Sequence, residues 1–272
     1  VTRIARLFDD CARAKKKVLV AYLCMGDPSP AESVALALAC VRAGADVLEL
    51  GVPFSDPSAD GPSIARASER AIRSGGGLTA TLEAARAIRA AQCTAPVVLF
   101  GYYNPLYIYG EAKVVDVAAD AGVDALLIVD LPLDEGGALR ARARERGVAV
   151  VPLVTPTTSR DRIEQLKTSL LTSPAGFLYY VSVTGVTGAA SAPLAEASVN
   201  AGRLREEVGL PIVVGFGIDT PEKACEAARH VNGVVVGTAI VRAIEDGSSA
   251  EDRIGRVEAL VGSLRRGLDS AT

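Results

Sequence analysis

The sequence predicts an α/β protein built as a single (β/α)8 barrel, the TIM-barrel architecture, with an extra N-terminal helix. Three observations carry that expectation. Short apolar segments rich in β-branched residues alternate eight times with longer Ala-, Glu- and Arg-rich segments of helical spacing. The apolar segments are continuous rather than alternating, as expected where both faces of a parallel sheet are covered. The 272 residues show no linker, low-complexity tract or charge block, and such a barrel takes about 250 residues, so one domain over 1–272 is expected. A doubly wound open sheet is the structural alternative; the eightfold βα count favours the closed barrel.

Taken in order, segment 4–14 is amphipathic and is expected to form a helix closing the barrel floor. Strands are expected at 18–24, 46–50, 96–101, 124–129, 148–152, 176–181, 211–214 and 233–236. The helices between them include 31–43, 78–91, 111–121 and 134–146. Gly44, Gly122 and Gly147 stand just ahead of a strand. A glycine there can take the left-handed conformation that ends a helix.

Composition excludes several classes. The net charge is −3, from 29 Lys plus Arg against 32 Asp plus Glu, which argues against a nucleic-acid partner. The five cysteines are scattered and never form a C-x-x-C pair, so free thiols and no metal are expected. Residues 1–17 alternate apolar and charged positions, unlike a secretory signal. Apolar runs stay below the roughly 18 residues of a membrane span. A cytoplasmic location is expected.

In a barrel of this kind the site lies at the C-terminal ends of the strands. Glu49, near the end of the second strand, shares a face with Val47 while Leu48 and Leu50 share the other. If the leucines meet the helices, Glu49 points into the barrel mouth, where burial suits an acid–base carboxylate; a structural Glu bonded to backbone is the competing possibility. Asp60 and Asp56 lie on a Gly/Pro/Ser-rich loop, where an Asp is ordinarily a turn or capping residue. Glycines at Thr184-Gly185-Val186-Thr187-Gly188, Gly215-Phe216-Gly217 and Gly237-Thr238 suit backbone approach to a phosphate. The single histidine, His230, and the six lysines all lie away from strand ends, which disfavours a Ser-His-Asp triad, a multi-histidine metal site and a Schiff-base lysine. What remains is carboxylate acid–base chemistry on a small phosphorylated substrate, with Tyr22, Tyr102 and Tyr179 at strand ends as possible helpers.

The run Leu48-Glu49-Leu50-Gly51-Val52-Pro53-Phe54-Ser55-Asp56-Pro57-Ser58-Ala59-Asp60-Gly61-Pro62 resembles the signature of the tryptophan synthase α chain family. Gly26-Asp27-Pro28, Tyr103-Asn104-Pro105, Asp130-Leu131-Pro132, Thr184 to Gly188 and Gly215-Phe216-Gly217-Ile218 match in order across nearly the whole chain. The resemblance implies retro-aldol cleavage of indole-3-glycerol phosphate to indole and glyceraldehyde 3-phosphate, without a cofactor in this chain. It implies Glu49 as the main acid–base residue, Asp60 as the group bonding to the indole N–H, and Tyr179 as an assistant. Tyr22, Ile64, Phe100 and Leu127 match the indole pocket; Gly188, Gly217, Gly237 and Thr238 match the phosphate cradle. The resemblance also implies a β-chain partner that carries pyridoxal phosphate, in an α2β2 heterotetramer. Pro53, Asp56, Asn104, Pro105 and Asp130 match the face that communicates with it. The sequence departs from the family at Cys24, where threonine is common, at Thr238, where serine is common, and after Gly188, where an arginine is often found. A stand-alone lyase releasing free indole and a non-catalytic regulatory subunit are the alternatives.

Overall fold

The computed structural model of the chain describes residues 2–170, 175–181, 194–215 and 217–270. Its strands are β1 (Val18–Cys24), β2 (Val47–Gly51), β3 (Val97–Gly101), β4 (Ala125–Ile128), β5 (Ala149–Val150), β6 (Leu153–Val154), β7 (Leu178–Val181), β8 (Ile212–Gly215) and β9 (Gly233–Val236). Every pairing is parallel, in the order β5-β4-β3-β2-β1-β9-β8-β7-β6. The two ends of that order are neighbours in the chain, because β5 and β6 are pieces of one extended segment, 149–154. Pro152 has no N–H to give a ladder. Its carbonyl nevertheless accepts from Tyr179 N–H at 3.0 Å, while Val151 N–H donates to Leu126 O at 2.8 Å. The segment serves β4 on one side and β7 on the other, and the nine pieces form the eight staves of a closed barrel, as expected.

The helices are α1 (Arg3–Arg13), α2 (Pro30–Arg42), α3 (Pro62–Arg73), α4 (Leu78–Ala90), α5 (Tyr103–Tyr109) and α6 (Glu111–Asp120), then α7 (Gly137–Glu145), α8 (Arg160–Leu170), α9 (Leu194–Val208), α10 (Pro221–Ala228), α11 (Thr238–Glu245) and α12 (Ala250–Asp269). The expected helix at 134–146 starts later, at Gly137, because Gly136 sits at φ +67°, which no right-handed helix accommodates. Two helices not anticipated in the sequence, α3 and α5, follow β2 and β3 on the C-terminal side of the barrel. None of the helices among the described residues is long and apolar enough to cross a membrane.

Strand alternation divides the core. Val20, Tyr22, Val47, Val98, Leu127, Phe177, Val213 and Val235 fill the barrel interior. Leu19, Leu23, Leu48, Leu50, Leu99 and Leu126 face outward against helix residues such as Leu36, Cys40, Leu82 and Ile88. Helix α1 closes the floor: Ile4, Phe8 and Cys11 join the interior cluster, and the Phe8 and Phe177 rings lie 5.3 Å apart. Its Arg3 pairs with Asp124, which also accepts from Arg89.

One device recurs along that floor. Asp46, just before β2, accepts from Leu19 N–H of β1 at 2.9 Å; Asp124, just before β4, accepts from Val97 N–H of β3 at 2.8 Å. Asn232, just before β9, accepts from Ile212 N–H of β8 at 3.0 Å. Each side chain satisfies an opening donor that the parallel ladder leaves without a partner.

Candidate active site

Glu49 occupies the inward face of β2, in register with Tyr22 on β1 and Val98 on β3. It is 1 % exposed, and its Oε1 is buried without a hydrogen-bond partner. Burial alone pushes its carboxyl up to about 8. A group in this state holds a proton at neutral pH and can deliver it. Glu49 Oε1 makes no hydrogen bond to backbone, unlike the oxygen of a structural Glu held by the main chain.

Asp60 sits on the loop between β2 and α3. It does not cap α3, whose N-cap is Gly61. Instead Tyr102 O–H donates to Asp60 Oδ2 at 3.0 Å and accepts from Ala59 N–H at 2.9 Å. Burial raises the Asp60 carboxyl to about 6, the Tyr102 hydrogen bond opposing it. Burial therefore raises the two carboxyls unequally, Glu49 further than Asp60.

The tyrosines gather around this pair. Burial raises the phenols of Tyr22 and Tyr179 well above their usual range, and the charges of Glu49 and Asp60 add to the effect in both. Glycine makes the tucked geometry possible. A Cβ on Gly215 would overlap the Tyr179 hydroxyl, and one on Gly51 would lie 2.5 Å from the Tyr22 hydroxyl. Phe100 meets Tyr22 edge-to-face with centroids 5.3 Å apart, and Leu127 and Ile64 belong to the same interior cluster. Together these four residues form an apolar wall beside two carboxyls.

The expected phosphate end lies across the mouth, at the C-terminal ends of the neighbouring strands β8 and β9. Gly217 has φ +67°, a left-handed conformation. Gly237 is the N-cap of α11 and Thr238 its first residue, so the unpaired N–H groups of that helix open here. Gly237 also lies against Tyr22, with 3.3 Å between a built Cβ and the ring. Gly188 lies outside the described residues, as does the rest of 182–193.

Helix α3, which follows Asp60, is fastened to α11, which opens the phosphate end. Arg242 Nε donates to Ser63 Oγ at 3.2 Å, and Arg66 makes two bonds of 2.9 Å to Glu245. Arg70 joins Glu245 to the buried Asp27 through bonds of 2.8 Å. The Gly26-Asp27-Pro28 motif thus anchors α3, and with it the loop of Asp60.

The residues expected at a partner surface divide in two. Asn104 and Asp130 are exposed and adjoin: Asp130 Oδ1 accepts from Tyr103 N–H at 2.7 Å, holding the start of the helix that carries Asn104 and Pro105. Asp56 is exposed on its own loop beside the Ser55 hydroxyl, whereas Pro53 is buried. Tyr102, expected only as a possible helper, is the site residue without a distinct role in the sequence reading; its position directly after β3 is the available signal. Among the described residues no three His, Cys, Asp or Glu side chains gather as metal ligands.

A (β/α)8 barrel with a buried carboxyl raised to about 8, a second raised to about 6 and the N-terminus of α11 at the same strand ends has the parts of an acid–base enzyme for a small anionic substrate. Comparison with known proteins makes this specific. Residues 8–269 match the family described as tryptophan synthase alpha chain. The tryptophan synthase alpha chain of Xanthomonas euvesicatoria pv. vesicatoria (strain 85-10) is 44% identical over 268 residues, covering 98% of each chain. That of Geobacter sulfurreducens is 44% identical over 269 residues, covering 98% of this chain and 99% of its own. The solved structure of tryptophan synthase subunit alpha from Legionella pneumophila str. Paris superposes with a TM-score of 0.91 at 35% identity, covering 99% of each chain. The chain belongs to the tryptophan synthase alpha chain family. It is a carbon–carbon lyase of tryptophan biosynthesis that cleaves indole-3-glycerol phosphate and pairs with a β chain, which carries the pyridoxal phosphate.

Proposed function

We propose that Glu49 and Asp60 carry the retro-aldol step of this lyase. The observation that supports it most is the unequal pair of carboxyls, about 8 and about 6, facing one apolar pocket. The indole ring lies among Tyr22, Ile64, Phe100 and Leu127. Glu49 delivers its proton to indole C3, and the positive charge that forms at the ring nitrogen is stabilised by Asp60, which accepts the N–H hydrogen bond. Glu49, now a carboxylate, takes the proton of the side-chain hydroxyl. The oxygen's electron pair forms the aldehyde carbonyl, and the C–C bond breaks with its pair returning to the ring. Indole and glyceraldehyde 3-phosphate leave, and Glu49 is again protonated. Tyr179 packs beside Glu49 and keeps water away from it. Gly188, Gly217, Gly237 and Thr238 hold the phosphate, which fixes the substrate for the proton transfers.

The same reading makes 1–272 one domain, joined to β in an α2β2 heterotetramer through Pro53, Asp56, Asn104, Pro105 and Asp130. It places the assembly in the cytoplasm, where free cysteines persist. The test is indole release from indole-3-glycerol phosphate by wild type, Glu49→Gln and Asp60→Asn, each with and without a β chain. Weak activity alone, activation by β and collapse in both variants support the assignment. Full activity without β points to a stand-alone lyase, and silence even with β removes the catalytic assignment.

A further inference from the structure

Helices α3 and α11 both begin at the barrel mouth, α3 at Pro62 just after Asp60 and α11 at the expected phosphate end. Ser63, Arg66 and Arg70 follow one another at i, i+3 and i+7 along α3, so they share one face of that helix. Thr238, Arg242 and Glu245 do the same along α11 at i, i+4 and i+7. The two faces meet: Arg242 Nε donates to Ser63 Oγ at 3.2 Å, and Arg66 grips both oxygens of Glu245 at 2.9 Å.

Arg70 joins three parts of the molecule at once. Its Nε and Nη2 donate to the two oxygens of Asp27 at 2.8 Å, and its Nη1 donates to Glu245 Oε1 at 2.8 Å. Asp27 follows β1 and is 2 % exposed, so one end of this bridge is fixed to the barrel. The other end is fixed to α11, where the Arg66 hydrogen bond does most to lower the Glu245 carboxyl to about 2 and keep it charged. Only a planar fork serves two carboxylates in this way, and a lysine has none. The outer pair, Arg66 with Glu245, is partly exposed, and such pairs add little to stability. The consequence of the network is a fixed spacing between the two helix starts.

We propose that Arg70 is a positioning residue that sets the distance between the phosphate cradle at α11 and the carboxyl of Asp60, and with it the length of substrate that engages both. The inference rests on the reading of those two ends given above. A substrate whose phosphate sits at Gly237 and Thr238 meets Asp60 only while α3 and α11 keep one separation. A displacement of about 1 Å at a reacting group can cost roughly 10²-fold in rate. Joining two ligand parts strengthens binding only where the linker matches the span between their sites. Arg70 acts through the two helices and touches no reacting atom.

The experiment titrates three probes against the full chain by NMR and calorimetry: glycerol 3-phosphate, indole, and 3-indolepropyl phosphate, which joins the two ends without the substrate's hydroxyls. In the wild type the joined probe binds more tightly than either part. Arg70→Gln is expected to weaken the joined probe about tenfold or more while each part keeps its affinity within about twofold. Arg70→Lys, which keeps the charge but not the fork, falls between, and kcat for indole release falls in the same order. Removing Arg70 leaves the buried Asp27 without its cation, so thermal unfolding is followed for each variant. Glu245→Gln loosens the same bridge from α11 without disturbing Asp27, and keeps the test usable if Arg70→Gln does not fold. Equal weakening of the joined probe and either part, or an unchanged joined probe in both Arg70→Gln and Glu245→Gln, overturns the proposal. A wild type that binds each part but gains nothing from joining them overturns it too. A wild type that binds neither part removes the reading of the site itself, and that is seen before any variant is made.

Discussion

The hydroxyl of Tyr102 is shared between Asp60, to which it donates at 3.0 Å, and Ala59, whose N–H it accepts at 2.9 Å. One side chain after β3 thus fixes both the carboxylate and the loop that carries it. Its hydrogen bond lowers an Asp60 carboxyl that burial raises to about 6. Removing it in Tyr102→Phe should raise the Asp60 pKa further, by up to about one unit for a hydrogen bond of ordinary net strength. The acidic limb of the pH–rate profile should move to higher pH by that amount, and activity at neutral pH should fall. An unmoved limb would show that the bond does not act on Asp60 in solution.

The wild-type profile itself follows from the pair. The proposed mechanism needs Asp60 charged, so kcat/KM should rise as the pH passes about 6. It needs Glu49 protonated in the free enzyme, so kcat/KM should fall as the pH passes about 8. Glu49→Gln and Asp60→Asn should each lower kcat by roughly 10²–10⁴, and Asp60→Asn should also erase the acidic limb. A profile flat across both limbs would contradict the assignment.

Glu49 has a stability cost of definite sign. Its folded pKa of about 8 lies above the 4.5 of a solvated carboxyl, so the folded chain holds a proton that the unfolded chain releases. Stability from this group is complete below about 4.5 and is lost as the pH rises through about 8. Glu49→Gln should therefore stabilise the protein by up to about 3 kcal/mol at neutral pH, with the gain vanishing toward pH ~4. Urea titrations at the two pH values measure the difference.

The floor helix gives a prediction independent of catalysis. Phe8 is 3 % exposed and stacks near Phe177 inside the barrel. Phe8→Ala should cost about 3–5 kcal/mol, the usual loss for a buried aromatic, and leave a cavity at the barrel floor. Indole release by the fraction that remains folded should be nearly unchanged, because the site lies at the opposite end. A kcat that falls with stability intact would mean that the floor and the mouth are coupled.

Much of this arrangement is legible in the sequence. The alternation of Val47, Leu48, Glu49 and Leu50 already places the carboxylate inward, since a strand exposes successive side chains to opposite faces. Gly136 and Tyr103 show where legibility ends. The first delays α7 through a left-handed φ of +67°, and the second starts a helix capped by Asp130, 27 residues away. Asp60 read alone is a loop residue, and only the family resemblance raised it to a candidate catalyst.

The sequence by itself determined the barrel, the inward face of each strand and the positions of the carboxyls and glycines, because these follow from periodicities of two to four residues along one chain. The tertiary structure decided that burial raises the Glu49 carboxyl to about 8, that Asp60 is paired with Tyr102 across 42 residues, and that Arg70 ties Asp27 to Glu245. Protonation state and partner choice depend on dielectric and on distance through space, and both are set only once the barrel closes and brings remote strand ends to one mouth.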